Sequence, residues 1–327
     1  MREKIAPREA WSVEFPLVGP SGEPVDLKRT FRSHGLASLP PMRLEAGESL
    51  EATLPVQDFG PRTVRISGSR LGYGVVSAVG PPPDGSKEGE KLFAAVRRVL
   101  RLDEDLSEFY ALAASDPELS WVTRGAGRMV RGSTVFEEVV KTLCTTNCAW
   151  SATIRMVGAL VEHLGEKAPS APEAGPLGRA FPTARAMAEV GEAFYREVVR
   201  AGYRGRYLIS LSRSVLDGDL DLEALDADPH ELPDDELERR LLALPGVGPY
   251  AAAHVMMMLG RYSRLVLDSW TRPTYARLAG RDGVADQEIE ARFSGYDTYK
   301  GLAFWLYLTQ GWIEEEPLRE PLGGASE

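Results

Sequence analysis

Residues Leu241–Leu278 read LLALPGVGPYAAAHVMMMLGRYSRLVLDSWTRPTYARL, and their punctuation sets the fold. Leu237, Leu241, Leu242 and Leu244 recur at helical spacing and stop at Pro245-Gly246-Val247-Gly248. A second helix, rich in small residues, runs from Pro249 to about Leu259. The spacing predicts two helices joined by Gly-x-Gly, a tight hairpin in which the glycines permit positive φ and remove side chains that block close approach. The first N–H groups of the second helix lack intrahelical partners and sit at the positive end of its dipole, so they suit an anion such as one backbone phosphate. Pro-Gly-Val-Gly taken alone is equally an ordinary turn between packed helices.

Downstream, Asp268 follows three consecutive apolar residues, Leu265-Val266-Leu267, and precedes Ser269-Trp270. A carboxylate in such a setting must find hydrogen bonds or do chemistry. It also suits the N-cap of a helix over Ser269–Leu278, and the two roles are compatible.

Outward from this segment the period is helical. Leu92, Val96, Val99 and Leu100 share one face, as do Phe136, Val139, Val140 and Leu143, and then Ile154, Val157, Leu160 and Val161. Gly165–Gly178 reads as a loop, and Thr183 as the N-cap of another helix. Helix-start signals also stand at Asp228-Pro229 and Pro233-Asp234-Asp235. Before residue 88 the pattern is that of strands: Trp11–Leu17, Thr63–Gly68 and Tyr73–Val79, separated by Gly/Pro clusters of which Gly80-Pro81-Pro82-Pro83 is the best linker candidate. The fold class predicted is α+β, a small antiparallel β-rich unit (1–88) before a larger all-helical one (89–312, hairpin at 237–260), with an acidic tail at 313–327.

Composition bounds the function. The chain has 327 residues and 43% hydrophobic content, ordinary for a globular protein, with no run near the ~18 apolar residues of a membrane span. The N-terminal MREKIAPREAW has charge but no apolar segment behind it, which predicts a cytoplasmic, nucleoid-associated protein without a secretory signal. Only two cysteines occur, Cys144 and Cys148, too few for a disulfide framework or a four-cysteine iron–sulfur cluster; their spacing predicts buried thiols on one helix. Histidines at 34, 163, 230 and 254 offer no metal-ligand spacing. His34 reads as a structural histidine, with the pocket edge as its other option. The net charge of −10 argues against nucleic acid until its distribution is seen. Val215–Arg240 carries −9 and Ile313–Glu327 carries −4, so the rest of the chain is at +3. Such a body is compatible with DNA. The acidic stretch 217–238 reads as a solvated connection.

Together these residues resemble the helix-hairpin-helix (HhH-GPD) DNA glycosylases, closest to the 8-oxoguanine and 3-methyladenine branches, over roughly residues 100–310. Leu244-Pro245-Gly246-Val247-Gly248 resembles the family hairpin, and Asp268 falls where the catalytic aspartate is expected. Gly202-Tyr203-Arg204-Gly205-Arg206-Tyr207 resembles a helix-opening segment of those branches, and Leu143-Cys144-Thr145-Thr146-Asn147 the segment that reaches into the duplex. Tyr299-Lys300-Gly301 and the apolar residues after it resemble the C-terminal pocket helix. The resemblance implies duplex DNA with a damaged base as the partner, a monomer, and DNA contacts from Leu244, Gly246, Val247, Gly248, Tyr250 and Asn147. Trp270, Phe304 and Trp150 are the implied base-pocket residues. No cofactor is required, and a monovalent cation (K+ or Na+) at the hairpin is left open.

Two departures refine the expectation. Members that cleave the backbone carry a lysine two residues after the second hairpin glycine, where its amine forms a Schiff base; Tyr250 stands there, which implies a monofunctional hydrolase. An ungapped alignment puts Phe304 where 8-oxoguanine enzymes carry a glutamine, which favours a stacked, alkylated purine over 8-oxoguanine. A non-catalytic DNA-binding protein, a glycosylase for deaminated or oxidised bases, and a helical enzyme for a small molecule stay open at this stage.

Overall fold

A computed structural model describes residues 11–45 and 49–313; beyond Ile313, the expected acidic tail lies outside the described residues. Five strands, β1 (Ser12–Pro16), β2 (Met42–Glu45), β3 (Ser49–Val56), β4 (Gly60–Gly68) and β5 (Tyr73–Ala78), form one antiparallel sheet in the order β1-β5-β4-β3-β2. The three stretches marked by sequence become β1, β4 and β5. Strand β3, between β4 and the edge strand β2, pairs Ala52 with Val64 and Leu54 with Arg62. It buries five consecutive residues, Leu50 to Leu54, so it lacks the alternation that marks a half-exposed strand.

Twelve helices accompany the sheet among the described residues. The first four are α1 (Leu27–Phe31), α2 (Ser86–Leu100), α3 (Ser107–Ala113) and α4 (Val135–Thr145). Then come α5 (Trp150–Leu164), α6 (Ala184–Ala188), α7 (Arg204–Leu216) and α8 (Asp234–Leu242). The last four are α9 (Pro249–Met258), α10 (Thr271–Leu278), α11 (Asp286–Phe293) and α12 (Lys300–Thr309). Thr183 does cap α6, accepting from Ala186 N–H. Pro233-Asp234-Asp235 opens α8, whereas Asp228-Pro229 opens no helix. None of the described helices is long and apolar enough to cross a membrane.

Three apolar clusters organise the molecule. The sheet packs Leu50, Leu54, Val64 and Ile66 against Leu92, Val96 and Val99, so α2 belongs to the sheet by packing although it follows the Pro-rich linker. The second cluster joins α4, α5, α7, α8 and the outer face of α9. The third joins α3, the other face of α9, and α10–α12. Helix α9 is buried over Ala251–Met258 and lies between the last two clusters. A helix that is apolar all round has this fate, and Met256-Met257-Met258 is filler for both sides.

The acidic stretch is not simply solvated. Asp226 pairs with Arg98 and Arg131, Glu223 accepts the N–H groups of Val135 and Phe136 at the start of α4, and Asp234 and Glu238 hold Arg261 and Arg264. With Asp235 on Arg264 and Glu236 on Arg239, six of its eleven acidic residues are spent on cations or a helix terminus of their own chain.

Candidate active site

The hairpin forms as its sequence requires. Gly246 has φ +81, and a Cβ there would lie 2.5 Å from the Tyr207 ring, so both the turn and the close approach of α7 demand glycine. Gly248 differs from expectation: its φ is −105, accessible to any residue, and space in front of it is open. Its lack of a side chain therefore serves nothing inside the protein and leaves the N–H groups of α9 uncovered, with Pro249 at the first helical position. Leu244 and Val247 turn their side chains into the core. Only their backbone is available for contact.

Beside the hairpin opens a cleft of about 1000 Å³. The hairpin contributes Gly246, Gly248 and Tyr250, the α4–α5 turn contributes Thr145 to Cys148, and the segment before α10 contributes Val266 to Trp270. Trp150, Tyr203, Tyr207, Trp305 and Trp312 add aromatic walls, and among the described residues no lysine or arginine lines the cleft. Trp270, Trp305 and Trp312 pack on one another with ring centroids 5.7–6.2 Å apart. Trp150 is 43% exposed and covers Gly35 at the opposite wall.

Among the described residues, Asp268 is the one carboxylate of the cleft lining. Its Oδ1 accepts the N–H groups of Trp270 (2.8 Å) and Thr271 (2.7 Å), and its own N–H donates to Thr271 Oγ1 (2.8 Å). It thus ties the turn that enters α10, which starts at Thr271 rather than Ser269 with Trp270 at the N-cap position, and is a cavity carboxylate as well. The turn fixes Oδ1, and Oδ2 has no hydrogen-bond partner among the described residues. The loop that carries it is pinned by α12: Gly301 N–H donates to Tyr262 O at 2.7 Å.

Tyr250 is half-buried, and its hydroxyl lies 3.1 Å from Thr145 Oγ1. Burial, with the Asp268 charge adding to it, pushes its phenol up, so it is neutral at pH 7. Asn147 is exposed at the rim with φ +47 and donates from Nδ2 to Tyr203 Oη at 3.2 Å. Buried Arg204 holds that turn through the carbonyl and hydroxyl of Thr146.

Phe304 is not in the cleft. It is fully buried and packs against Tyr275 and Phe293. One residue advances a helix by about 100°, so the cleft-facing aromatic of α12 is Trp305, whose indole N–H donates to Ser33 O at 2.7 Å. Cys148 also departs from expectation: α4 ends at Thr145, and Cys148 lies half-buried on the cleft wall with its thiol bonded to Cys144 O. Cys144 is buried, and burial raises its thiol to about 12. Tyr203, Tyr207, Trp312 and His254 line the cleft without having been singled out for it. Tyr203 and Tyr207 were visible within the GYRGRY segment; Trp312 gave no signal.

No family model and no curated protein matches this sequence. Solved structures do. The apo form of Clostridium acetobutylicum 8-oxoguanine glycosylase/lyase aligns with TM-score 0.70 and 20% identity, covering 92% of this chain and 97% of that one. The 3-methyladenine DNA-glycosylase from Archaeoglobus fulgidus aligns with TM-score 0.69 and 19% identity, covering 91% and 97%. The fold is that of the helix-hairpin-helix DNA glycosylases. Within this glycosylase fold the β-rich N-terminal unit, the hairpin and the cleft are parts of one architecture.

Proposed function

We propose that the chain is a monofunctional DNA glycosylase that extrudes a damaged base from duplex DNA and hydrolyses its N-glycosidic bond. The observation that carries this reading is Asp268: one anchored carboxylate in an aromatic cleft that opens beside the uncovered N-terminus of α9. Glycosidic cleavage develops positive charge on the sugar, and a fixed carboxylate in a water-poor site stabilises it without reorganising. Asp268 has a second task, orienting the attacking water and taking its proton. The N–H groups at Gly248 hold a backbone phosphate, and Asn147 with Tyr203 occupies the space the base leaves. Extrusion costs a few kcal/mol, least for damaged pairs.

Hydrolysis without strand cleavage follows from Tyr250. Its neutral phenol offers no amine for a Schiff base, and no lysine stands among the described residues of the cleft lining. The aromatic walls favour an alkylated purine, because electron-rich faces attract a cationic ring. The reading requires no cofactor and a single copy of the chain.

Single-lesion duplexes carrying a stable 3-methyladenine analogue, 7-methylguanine, ethenoadenine, hypoxanthine, uracil and 8-oxoguanine test it. Strand breaks are expected only after alkali, with Asp268→Asn at least about 10²-fold slower. Breaks without alkali would assign a lyase; duplex binding with every lesion intact would leave Asp268 a turn-forming residue only.

A further inference from the structure

Among the described residues, the buried hydrogen-bonding side chains of the cleft are mostly spent within the protein itself. Three of its lining side chains are both polar and buried: Thr153, Trp305 and His254. Thr153 donates to Cys144 O at 2.9 Å, and Trp305 donates to Ser33 O. His254 alone keeps an unspent nitrogen. Its Nδ1 lies 3.4 Å from Thr142 Oγ1, and Nε2 has no partner among the described residues. The ring is 5% exposed and is framed by Tyr250 and Trp305, with His34 edge-on 6.3 Å behind it. Burial drives its imidazole down to about 4, so it is uncharged at pH 7. The Thr142 contact fits either tautomer; in the one where the Thr142 hydroxyl donates to Nδ1, the proton sits on Nε2 and the cleft receives one buried donor.

Resting on the glycosylase reading, we propose that His254 donates Nε2–H to an acceptor on the extruded base and so assists the departure of neutral bases. When C1′–N9 breaks, the electron pair leaves on the base. A cationic alkylated purine leaves neutral, whereas a neutral lesion such as hypoxanthine leaves as an anion and gains from a donor. Water supplies hydroxide to C1′ and the balancing proton, which passes to Asp268 and then to the base. His254 keeps its own proton throughout.

The test compares release of hypoxanthine and of 7-methylguanine from single-lesion duplexes by the wild type, His254→Phe and His254→Gln. His254→Phe keeps a planar ring without a donor, and is expected to lose about 10²-fold more rate on hypoxanthine than on 7-methylguanine. His254→Gln restores a donor and should recover most of that difference. Equal losses on both lesions, or no recovery in a folded His254→Gln, overturn the proposal, as does a wild type that releases 7-methylguanine but no hypoxanthine. A wild type that releases no base from any of the six lesions sinks the glycosylase reading itself. Nitrogen-15 spectra of the four histidines, assigned with His254→Gln, give an answer even if the Phe variant does not fold. A neutral Nε2–H tautomer at pH 7 is expected; a charged ring or the Nδ1–H tautomer overturns the proposal.

Discussion

At the scale of single residues, burial of histidine makes the protein acid-sensitive. His34 donates from Nε2 to Val130 O at 2.5 Å, and its buried Nδ1 has no partner. Burial, then the neighbouring His254, lowers it to about 3, and burial lowers His254 to about 4. The unfolded chain takes up protons at about 6.5 and the folded chain does not, so stability is complete above pH 6.5 and falls as pH drops toward 3–4. Each histidine should cost about 2 kcal/mol between pH 7 and pH 5. Urea midpoints at the two pH values should diverge in the wild type and converge in His34→Gln/His254→Gln; equal divergence would show that other groups govern acid unfolding. Neither histidine announced this role in sequence, because what surrounds each comes from distant positions. The placement of Asp268 was legible because its signals are local: three apolar residues before it and a helix start after it. Phe304 misled for the opposite reason, since an ungapped alignment fixes a helix residue only if its phase is right to within one position.

At the scale of elements, the approach of α12 to the Asp268 loop depends on Gly301. A Cβ there would lie 2.1 Å from Arg264 O and 2.7 Å from Tyr262 O, both backbone atoms that cannot swing aside. Gly301→Ala should therefore push the loop outward and cost about 1–3 kcal/mol. In the glycosylase assay it should also lower kcat, since Asp268 rides on the displaced segment. A variant with the wild-type denaturation midpoint would mean that the two elements separate freely. The hairpin was legible because Pro and Gly punctuate it, and the helix faces because their apolar residues repeat within one turn. Strand β2 and strand β3 were not: β3 is covered on both sides, and its Thr53 meets Thr63 across the sheet rather than solvent. The acidic stretch misled because its partners Arg98, Arg131, Arg261 and Arg264 are remote in sequence, and a charge count cannot show pairing.

At the scale of the whole molecule, a buried polar seam ties the β-rich unit to the helices that carry the cleft. Arg128 is fully buried and donates from Nη2 to Glu23 Oε1 at 2.8 Å, and from Nη1 to the carbonyls of Arg101 (2.7 Å) and Glu104 (2.6 Å). Arg101 and Glu104 extend the seam to Met258 O at the end of α9 and to the Tyr262 hydroxyl. Tyr262 opens the loop that leads to Asp268. The same Glu23 also accepts the N–H groups of Leu106 and Ser21, so one carboxylate from the sheet side organises three segments. Removing its charge while keeping its shape leaves the Arg128 guanidinium uncompensated in the interior. Glu23→Gln should therefore cost about 3–5 kcal/mol, much more than a surface pair. Because a buried pair owes most of its mutational cost to the charge left behind, Glu23→Gln/Arg128→Met should recover a large part of the loss. A double-mutant cycle by urea denaturation measures this. A loss below about 1 kcal/mol in Glu23→Gln would show that water reaches Arg128 and that packing, not the seam, joins the sheet to the cleft.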